Sequence, residues 1–284
     1  FIPFTKVLIW LAEHTVRDKP GEEQELSMPV LDERLLTSPA VAIQQAQNAV
    51  EKMAARAARN YRAAMPLLAG YKDDAAAVVN QREDLIDRME VTLTNYLIKI
   101  SDRELGEMES HRANSLLAFV TEVERIGDYA INVTERAAEM RDKELTFSDQ
   151  AQRELQMLGD AIGEIIDLTV QAMHSGDAAT AAQVEPLEET VDTICETLRT
   201  RHIQRLKDGK CQLESGIIFL DVLTNLERIS DHCSNIAARL LGMESDSELD
   251  PHALKKAMHN GNTKGYDDAL NQYRKKYSQV LAEG

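Results

Sequence analysis

The sequence predicts an all-α fold, built as a tandem duplication of an antiparallel three-helix bundle. Aromatic residues make up only 5% of the 284 residues, while Ala, Leu, Glu and Gln are plentiful, a composition that suits helices better than sheets. Apolar residues recur at helical spacing, and no strand-like alternation competes with them. A phrase of the form E-R-I-x-D-x-x-x-N occurs twice, starting at Glu124 and at Glu227. This repetition indicates that one helical unit has been copied.

Caps and helix breakers give the boundaries of the helices. Ser38 followed by Pro39 predicts the start of the first helix, and Ser148 predicts the corresponding start in the second half. Pro186 is expected to kink or restart the middle helix of that half. The predicted helices span residues 40–68, 75–100, 108–140, 148–173, 178–206, 212–241 and 266–281.

These helices predict four segments along the chain. Residues 1–37 are predicted to be a membrane-proximal segment and linker. Residues 18–37 are rich in Pro, Gly and charge, as linkers are. The apolar stretch 1–12 fits either an ordinary amphipathic helix or the stub of a membrane segment, since it is too short to span a membrane by itself. Residues 38–142 form the first three-helix bundle repeat, and residues 143–242 form the second. Residues 243–284 form a C-terminal helical tail.

Charge and cysteine content narrow the classes of function. The formal net charge of −16 disfavours direct binding to nucleic acid or to an anionic membrane surface and favours cation binding. The three cysteines, Cys195, Cys211 and Cys233, have no Cys-x-x-Cys spacing. We therefore expect them to be small core residues in a reducing compartment, and not a disulfide framework.

The acidic residues of the repeated phrase form pairs four residues apart. Such residues lie about 40° apart on one helix face, and here they border the apolar stripe. A similar pair occurs on the preceding helix of each half, so four carboxylates per half are expected to converge. A hard cation would relieve their repulsion and their loss of solvation. The predicted metal ligands are Glu83, Asp87, Glu124 and Asp128 in the first half, and Glu188, Asp192, Glu227 and Asp231 in the second.

Less specific interpretations of these acids stay open at this point. A single acid pair is common on a solvated helix edge, and Arg125 and Arg228 can neutralise neighbouring acids as surface ion pairs. The presence of two pairs in each half favours metal binding instead. The residues expected to support the ligands are Thr121, Asn132, Thr224 and Asn235.

The sequence predicts a protein that is not an enzyme. Six histidines have no ligand spacing and are expected to face solvent, namely His111, His174, His202, His232, His252 and His259. No Glu-x-x-His pair of a di-iron bundle, glycine-rich phosphate loop or nucleophile motif is present. The competing hypotheses are a metal-dependent enzyme, in which carboxylate-bound ions activate water, and a purely structural bundle.

The four acid pairs resemble those of the PhoU family of phosphate-signalling proteins. The matching phrases are Glu83-x-x-x-Asp87, Glu124-x-x-x-Asp128, Glu188-x-x-x-Asp192 and Glu227-x-x-x-Asp231. The resemblance covers Ser38 to Gly242. It implies a duplicated all-α bundle that carries multinuclear metal clusters and regulates phosphate uptake. The candidate ions are divalent or trivalent, namely Fe, Mn, Mg, Zn or Ca.

Two departures from the family pattern affect the second half. Cys195 stands where the first half has Glu90, and Pro186 lies just upstream of Glu188. The second centre is therefore expected to bind fewer ions or to bind them more weakly.

The N-terminal residues suggest how such a domain could be used. Residues 31–42 resemble the junction after the membrane domain in bacterial sodium/phosphate cotransporters with a PhoU-like tail. The apolar stretch 1–16 would then be the end of the last membrane segment. The chain would be the metal-binding regulatory tail of a Na⁺-dependent phosphate transporter, at the cytoplasmic face of the inner membrane.

The alternative is a stand-alone PhoU-type adaptor of an ABC phosphate transporter and a sensor kinase. In both hypotheses the partner is a membrane transport domain, in the same chain or in a partner protein. Phosphate could bind to the protein through the metal ions. The oligomeric state is left open, with a homo-oligomer as one possibility. Nucleic acid is not an expected partner.

Overall fold

Long helices account for most of the residues described by the computed structural model, which are 27–244 and 265–282. This part of the chain contains no strand, and the all-α prediction is confirmed. The helices are α1 (Pro39–Ala64), α2 (Asp73–Ser101), α3 (Glu107–Asp142), α4 (Asp149–Ser175), α5 (Ala178–Ala181), α6 (Val184–Lys207), α7 (Leu213–Glu244) and α8 (Tyr266–Ala282). Short 3-10 helices lie on either side of α1, at Glu33–Thr37 and at Met65–Leu68.

Local sequence explains where these helices begin and end. Pro39 occupies the first turn of α1, where its missing N–H costs nothing. The Ser148 hydroxyl accepts a hydrogen bond from the Ala151 N–H and caps α4, and Gly176 ends that helix with a left-handed φ of 65°. Pro186 lies in the first turn of α6, which begins at Val184. The proline therefore marks a restart of the helix after α5, one of the two outcomes expected from the sequence.

The helices form two bundles with apolar interiors. Helices α1, α2 and α3 pack against one another, as do α4, α6 and α7. Short turns join consecutive long helices, which therefore run antiparallel. The apolar stripe of α2 is completely buried, and its members are Val79, Ile86, Leu93 and Leu97.

The two bundles meet along two helix pairs, α3 with α7 and α1 with α4. In the first pair, Glu122 contacts Asn235 while Asn132 contacts Asn225. Residue numbers rise along one helix as they fall along the other, so α3 and α7 run antiparallel. Asn225 occupies in the second repeat the position that Glu122 has in the first, and Asn235 likewise matches Asn132. The two bonds are therefore counterparts of each other, as expected when duplicated units pack about a local twofold axis.

The end of the predicted linker is part of the folded structure. Leu36, within the 3-10 helix Glu33–Thr37, is 5% exposed. The Tyr96 hydroxyl of α2 donates a hydrogen bond of 3.1 Å to the backbone oxygen of Asp32, and Lys99 Nζ lies 2.6 Å from Glu33 Oε1. The expected membrane-segment remnant, residues 1–16, lies outside the described residues. Among the residues that are described, no helix is both long enough and apolar enough to cross a membrane.

The prediction that His202 and His232 face solvent is wrong. His202 is 3% exposed and stacks on Phe219, with ring centroids 4.3 Å apart, because α6 and α7 enclose it. The His232 side chain is 19% exposed and stacks on Tyr129 across the α3–α7 contact. Helical spacing assigns His232 to the outer face of its own bundle, but the neighbouring bundle covers that face.

Candidate metal centres

Three of the four acids predicted in the first repeat come together between α2 and α3. The group consists of Glu83, Asp87 and Asp128, and one carboxylate oxygen from each lies within 4.8 Å of the others. Glu83 and Asp87 are one helical turn apart on α2, and Asp128 faces them from α3. Glu124, one turn before Asp128, is not one of the three but adjoins them. We call this arrangement the first centre.

The most deeply buried carboxyl group of the first centre is that of Glu83, which is 7% exposed. Its Oε2 accepts a hydrogen bond of 3.1 Å from Asn60 Nδ2 of α1. Its Oε1 is buried without a hydrogen-bond partner among the described residues, and so is Asn60 Oδ1. Gly127 leaves room for this carboxyl group, since a β-carbon there would lie 2.7 Å from Glu83 Oε1. Buried oxygens left without partners are destabilising unless an additional group satisfies them.

The two carboxyl groups that α2 contributes to the first centre, and the adjoining Glu124, have raised pKa values. Burial, followed by the charges of Asp87 and Asp128, raises the pKa of Glu83 to about 8. Burial and the neighbouring Asp128 raise the pKa of Glu124 to about 7. Burial, with Asp128 second, also raises the pKa of Asp87. Arg125 relieves this only in part, because it stays 3.7 Å from both Glu124 and Asp128.

The second repeat builds a second centre from the equivalent residues. It comprises Glu188 and Asp192 of α6 and Asp231 of α7, again with one oxygen of each within 4.8 Å of the others. Glu188 is 8% exposed. The fourth predicted ligand, Glu227, is instead paired with Arg199 of α6, whose Nη2 lies 2.7 Å from Glu227 Oε2.

The surroundings of the two centres differ at several equivalent positions. Cys195 replaces Glu90; it is fully buried, and burial raises the pKa of its thiol. Ser230 replaces Gly127, and its hydroxyl donates to the backbone oxygen of Glu227. Arg199 replaces Thr94. The buried Glu185, one turn before Glu188, stands where the first repeat has Asn80 and offsets the loss of Glu90. The second centre thus differs in charge mainly by the added guanidinium of Arg199.

Comparison with known proteins identifies the family to which this chain belongs. The PhoU domain family matches the chain twice, over residues 50–137 and over residues 155–240. The chain belongs to the PhoU domain family. Both matches contain one complete centre, so the family assignment and the duplicated geometry refer to the same residues.

Individual PhoU relatives are distant in sequence. The chain is 20% identical over 201 residues to the phosphate-specific transport system accessory protein PhoU homolog 1 of Thermotoga maritima, covering 70% of this chain and 86% of that protein. It is 20% identical over 252 residues to the putative inorganic phosphate export protein YjbB of Salmonella typhimurium. That match covers 87% of this chain but only 46% of the export protein, so the chain spans about half of that relative.

The crystal structure of PhoU from Pseudomonas aeruginosa has the same fold. It superposes with a TM-score of 0.67 at 21% identity, and the match covers 75% of this chain and all of that one. At this level of identity, the similarity concerns the fold alone.

Several residues of this PhoU domain have roles that differ from the sequence prediction. The amides of Asn132 and Asn235, expected to support the ligands, donate to Asn225 and Glu122 and so join the two repeats. The hydroxyls of Thr121 and Thr224 donate to backbone oxygens of their own helices. The sequence reasoning missed Asn60, Gly127 and Arg199. Aligning the two repeats position by position would have revealed Gly127 and Arg199, whereas Asn60 stands out only as a polar residue in an apolar stretch.

Proposed function

We propose that this PhoU domain binds divalent cations at both centres and that cation binding regulates phosphate transport across the membrane. The observation that carries the proposal is the convergence of three carboxylates per repeat. At the first centre this convergence includes a buried glutamate oxygen that has no partner among the described residues.

The residues present fit a hard cation. Glu83, Asp87 and Asp128 would hold it at the first centre, and Glu188, Asp192 and Asp231 would hold it at the second. Carboxylate oxygens are the preferred ligands of Mg²⁺, Mn²⁺ and Ca²⁺. A bound cation would supply positive charge that favours the ionised form of Glu83, and it would make the acidic face attractive to phosphate or to an acidic group of a partner.

Metal analysis of the purified full chain tests the binding step. We expect bound divalent ions in the unmodified protein and their loss in the double variant Asp128→Ala, Asp231→Ala. The matched control is Asp102→Ala, Glu104→Ala, which also removes two acids but at exposed positions between α2 and α3. Equal metal content in all three proteins would reject the proposal.

The link to phosphate transport rests on the relatives. The Thermotoga maritima protein is named as an accessory protein of a phosphate-specific transport system. This match, covering most of that protein, supports the accessory-protein alternative better than a cotransporter tail. We propose that the chain acts as such an accessory at the cytoplasmic face of the inner membrane. Phosphate uptake by cells lacking the chain, complemented with either the unmodified protein or Asp128→Ala, Asp231→Ala, tests this role.

A second form of the function is favoured by the match to the phosphate export protein of Salmonella typhimurium, which extends over 87% of this chain. In that form the PhoU domain would be one part of a longer transport protein. Immunoblotting of membranes from the native cells separates the two forms. A band much larger than a 284-residue chain supports the longer protein, whereas a band of that size supports the accessory.

A further inference from the structure

The two centres have the same ligands but different surroundings. The position seven residues after Asp87 is Thr94, and the position seven residues after Asp192 is Arg199. Seven residues correspond to about two helical turns, so each of these residues lies on the same face of its helix as the ligands before it. Only the second repeat therefore places a cationic side chain on the ligand face of its middle helix at this position.

The guanidinium of Arg199 is held in place by Glu227. Its Nη2 lies 2.7 Å from Glu227 Oε2, and the two side chains are 35% and 29% exposed. The equivalent acid of the first repeat, Glu124, has a weaker cationic neighbour. Arg125 approaches it no closer than 3.7 Å and is 52% exposed. The guanidinium of Arg199 is permanently charged, and its hydrogen bond engages the carboxylate of Glu227. The equivalent carboxylate at the first centre, that of Glu124, is not engaged by a guanidinium at this distance.

The charge balance of the two centres follows from these contacts. The first centre has Glu124 and Glu90 beside its three converging carboxylates, and both raise the negative potential there. The second has Cys195, a buried thiol, in place of Glu90, but it has the buried Glu185 where the first repeat has Asn80, so the number of nearby acids is the same. The two centres differ in charge through Arg199, which neutralises Glu227. An incoming cation therefore meets more negative charge at the first centre.

We propose that Arg199 is a specificity-determining residue, which makes the second centre bind divalent cations more weakly than the first by occupying Glu227. This inference rests on the proposed function, since it concerns the relative strength of two centres that both bind cations. The two repeats would then respond to different cation concentrations, because the first centre fills at a lower concentration than the second.

Reciprocal exchange of the two residues tests the inference. The full chain is prepared with one centre disabled, either the second by Asp192→Asn, Asp231→Asn or the first by Asp87→Asn, Asp128→Asn. Mn²⁺ is titrated into each protein, and free Mn²⁺ is measured by electron paramagnetic resonance. We expect the first centre to bind about tenfold more tightly than the second, because one nearby charge changes the affinity by roughly that factor.

Adding Arg199→Thr to the protein with only the second centre should tighten its Mn²⁺ binding about tenfold. Adding Thr94→Arg to the protein with only the first centre should weaken binding. Lys207→Thr, an exposed position on the same helix as Arg199, removes the same charge farther away and should leave affinity unchanged.

The outcomes separate this inference from the proposed function. If the first centre binds Mn²⁺ but Arg199→Thr behaves like Lys207→Thr, the role of Arg199 is rejected and the proposed function stands. If Thr94→Arg leaves the first centre unchanged, the role is rejected as well. If the unmodified chain binds no divalent ion, the proposed function and this inference both fail.

Discussion

The backbone of Gly127 on α3 lies directly against the carboxyl group of Glu83 on α2. A β-carbon at position 127 would stand 2.7 Å from Glu83 Oε1 and 3.1 Å from its Cδ. The glycine is thus required by the neighbouring helix and not by backbone conformation. It allows a glutamate to be only 7% exposed at the bottom of the first centre, with one carboxylate oxygen hydrogen-bonded to Asn60 and the other buried beside Gly127.

Gly127→Ala should weaken cation binding at the first centre, because the added methyl group pushes the Glu83 carboxyl away from Asn60. We expect a loss of about tenfold in Mn²⁺ affinity, consistent with a moderate distortion of one ligand. The control is Gly163→Ala on α4, where the nearest atom to the new β-carbon is 3.9 Å away. That variant should gain about 0.5–1 kcal/mol of stability from helix propensity and leave binding unchanged. Unchanged Mn²⁺ affinity in Gly127→Ala would contradict the positioning described here.

Glu83→Gln should stabilise the metal-free protein at alkaline pH. The pKa of Glu83 rises from 4.5 to about 8 on folding, so the folded state holds the proton more tightly than the unfolded state. Its contribution to stability is therefore complete below about pH 4.5 and is lost as pH rises through 8. Glutamine stays neutral throughout, so the variant should gain on the order of 2–3 kcal/mol over the unmodified protein near pH 8, and little near pH 4.5.

Chemical denaturation after treatment with a chelator measures this difference, and Glu104→Gln at an exposed position serves as the control. Added Mn²⁺ should reverse the order at pH 8, because the ion stabilises the ionised Glu83 and not the amide. A constant difference between Glu83→Gln and the unmodified chain across the whole pH range would show that burial of the charge is not the cause.

Composition, helical periodicity and the repeated acid phrase together predict the all-α fold, and the spacing of the acids predicts which of them share a helix face. The spacing does not determine which neighbouring helix that face meets. Helix α3 contacts α1, α2 and α7, and Asn132 faces α7 although it follows Asp128 by one turn. The two predicted ligands Glu124 and Glu227 have the same spacing to their aspartates, yet Glu227 is bonded to Arg199. Such choices depend on side chains from other helices, which periodicity within one helix does not reveal.

Replacing Glu122 should lower the free energy of unfolding more than replacing Asn225, its counterpart in the second repeat. The carboxylate of Glu122 accepts a 3.2 Å hydrogen bond from Asn235 and lies 2.7 Å from His232 Nδ1, and these partners lower its pKa against the effect of burial. Asn225 accepts a single bond of 3.4 Å from Asn132. We expect Glu122→Ala to cost about 1–3 kcal/mol and Asn225→Ala to cost less than about 1 kcal/mol. Urea unfolding at neutral pH measures both, and equal losses would argue against the asymmetry of this contact.

The C-terminal helix α8 should open more often when either of the two glutamates that bind it, Glu164 or Glu189, is replaced. It lies beyond the PhoU match, which ends at residue 240, and packs against α4 and α6. Glu189 of α6 accepts hydrogen bonds from Tyr266 and Arg274 at 2.6 and 2.8 Å. Glu164 of α4 accepts bonds from Lys276 at 2.7 and 2.8 Å and another from Tyr277.

Because a helix of 17 residues is only marginally stable by itself, α8 depends on these contacts and on a small apolar cluster of Tyr266, Leu270 and Leu241. Glu189→Ala and Glu164→Ala should each speed amide hydrogen exchange within Tyr266–Ala282 by about fivefold to tenfold, corresponding to the loss of about 1 kcal/mol. Glu196→Ala on the exposed side of α6 should have no such effect. Exchange in α8 that is equally slow in all three variants would mean that apolar packing alone holds the helix, and that the two glutamates are incidental to its docking.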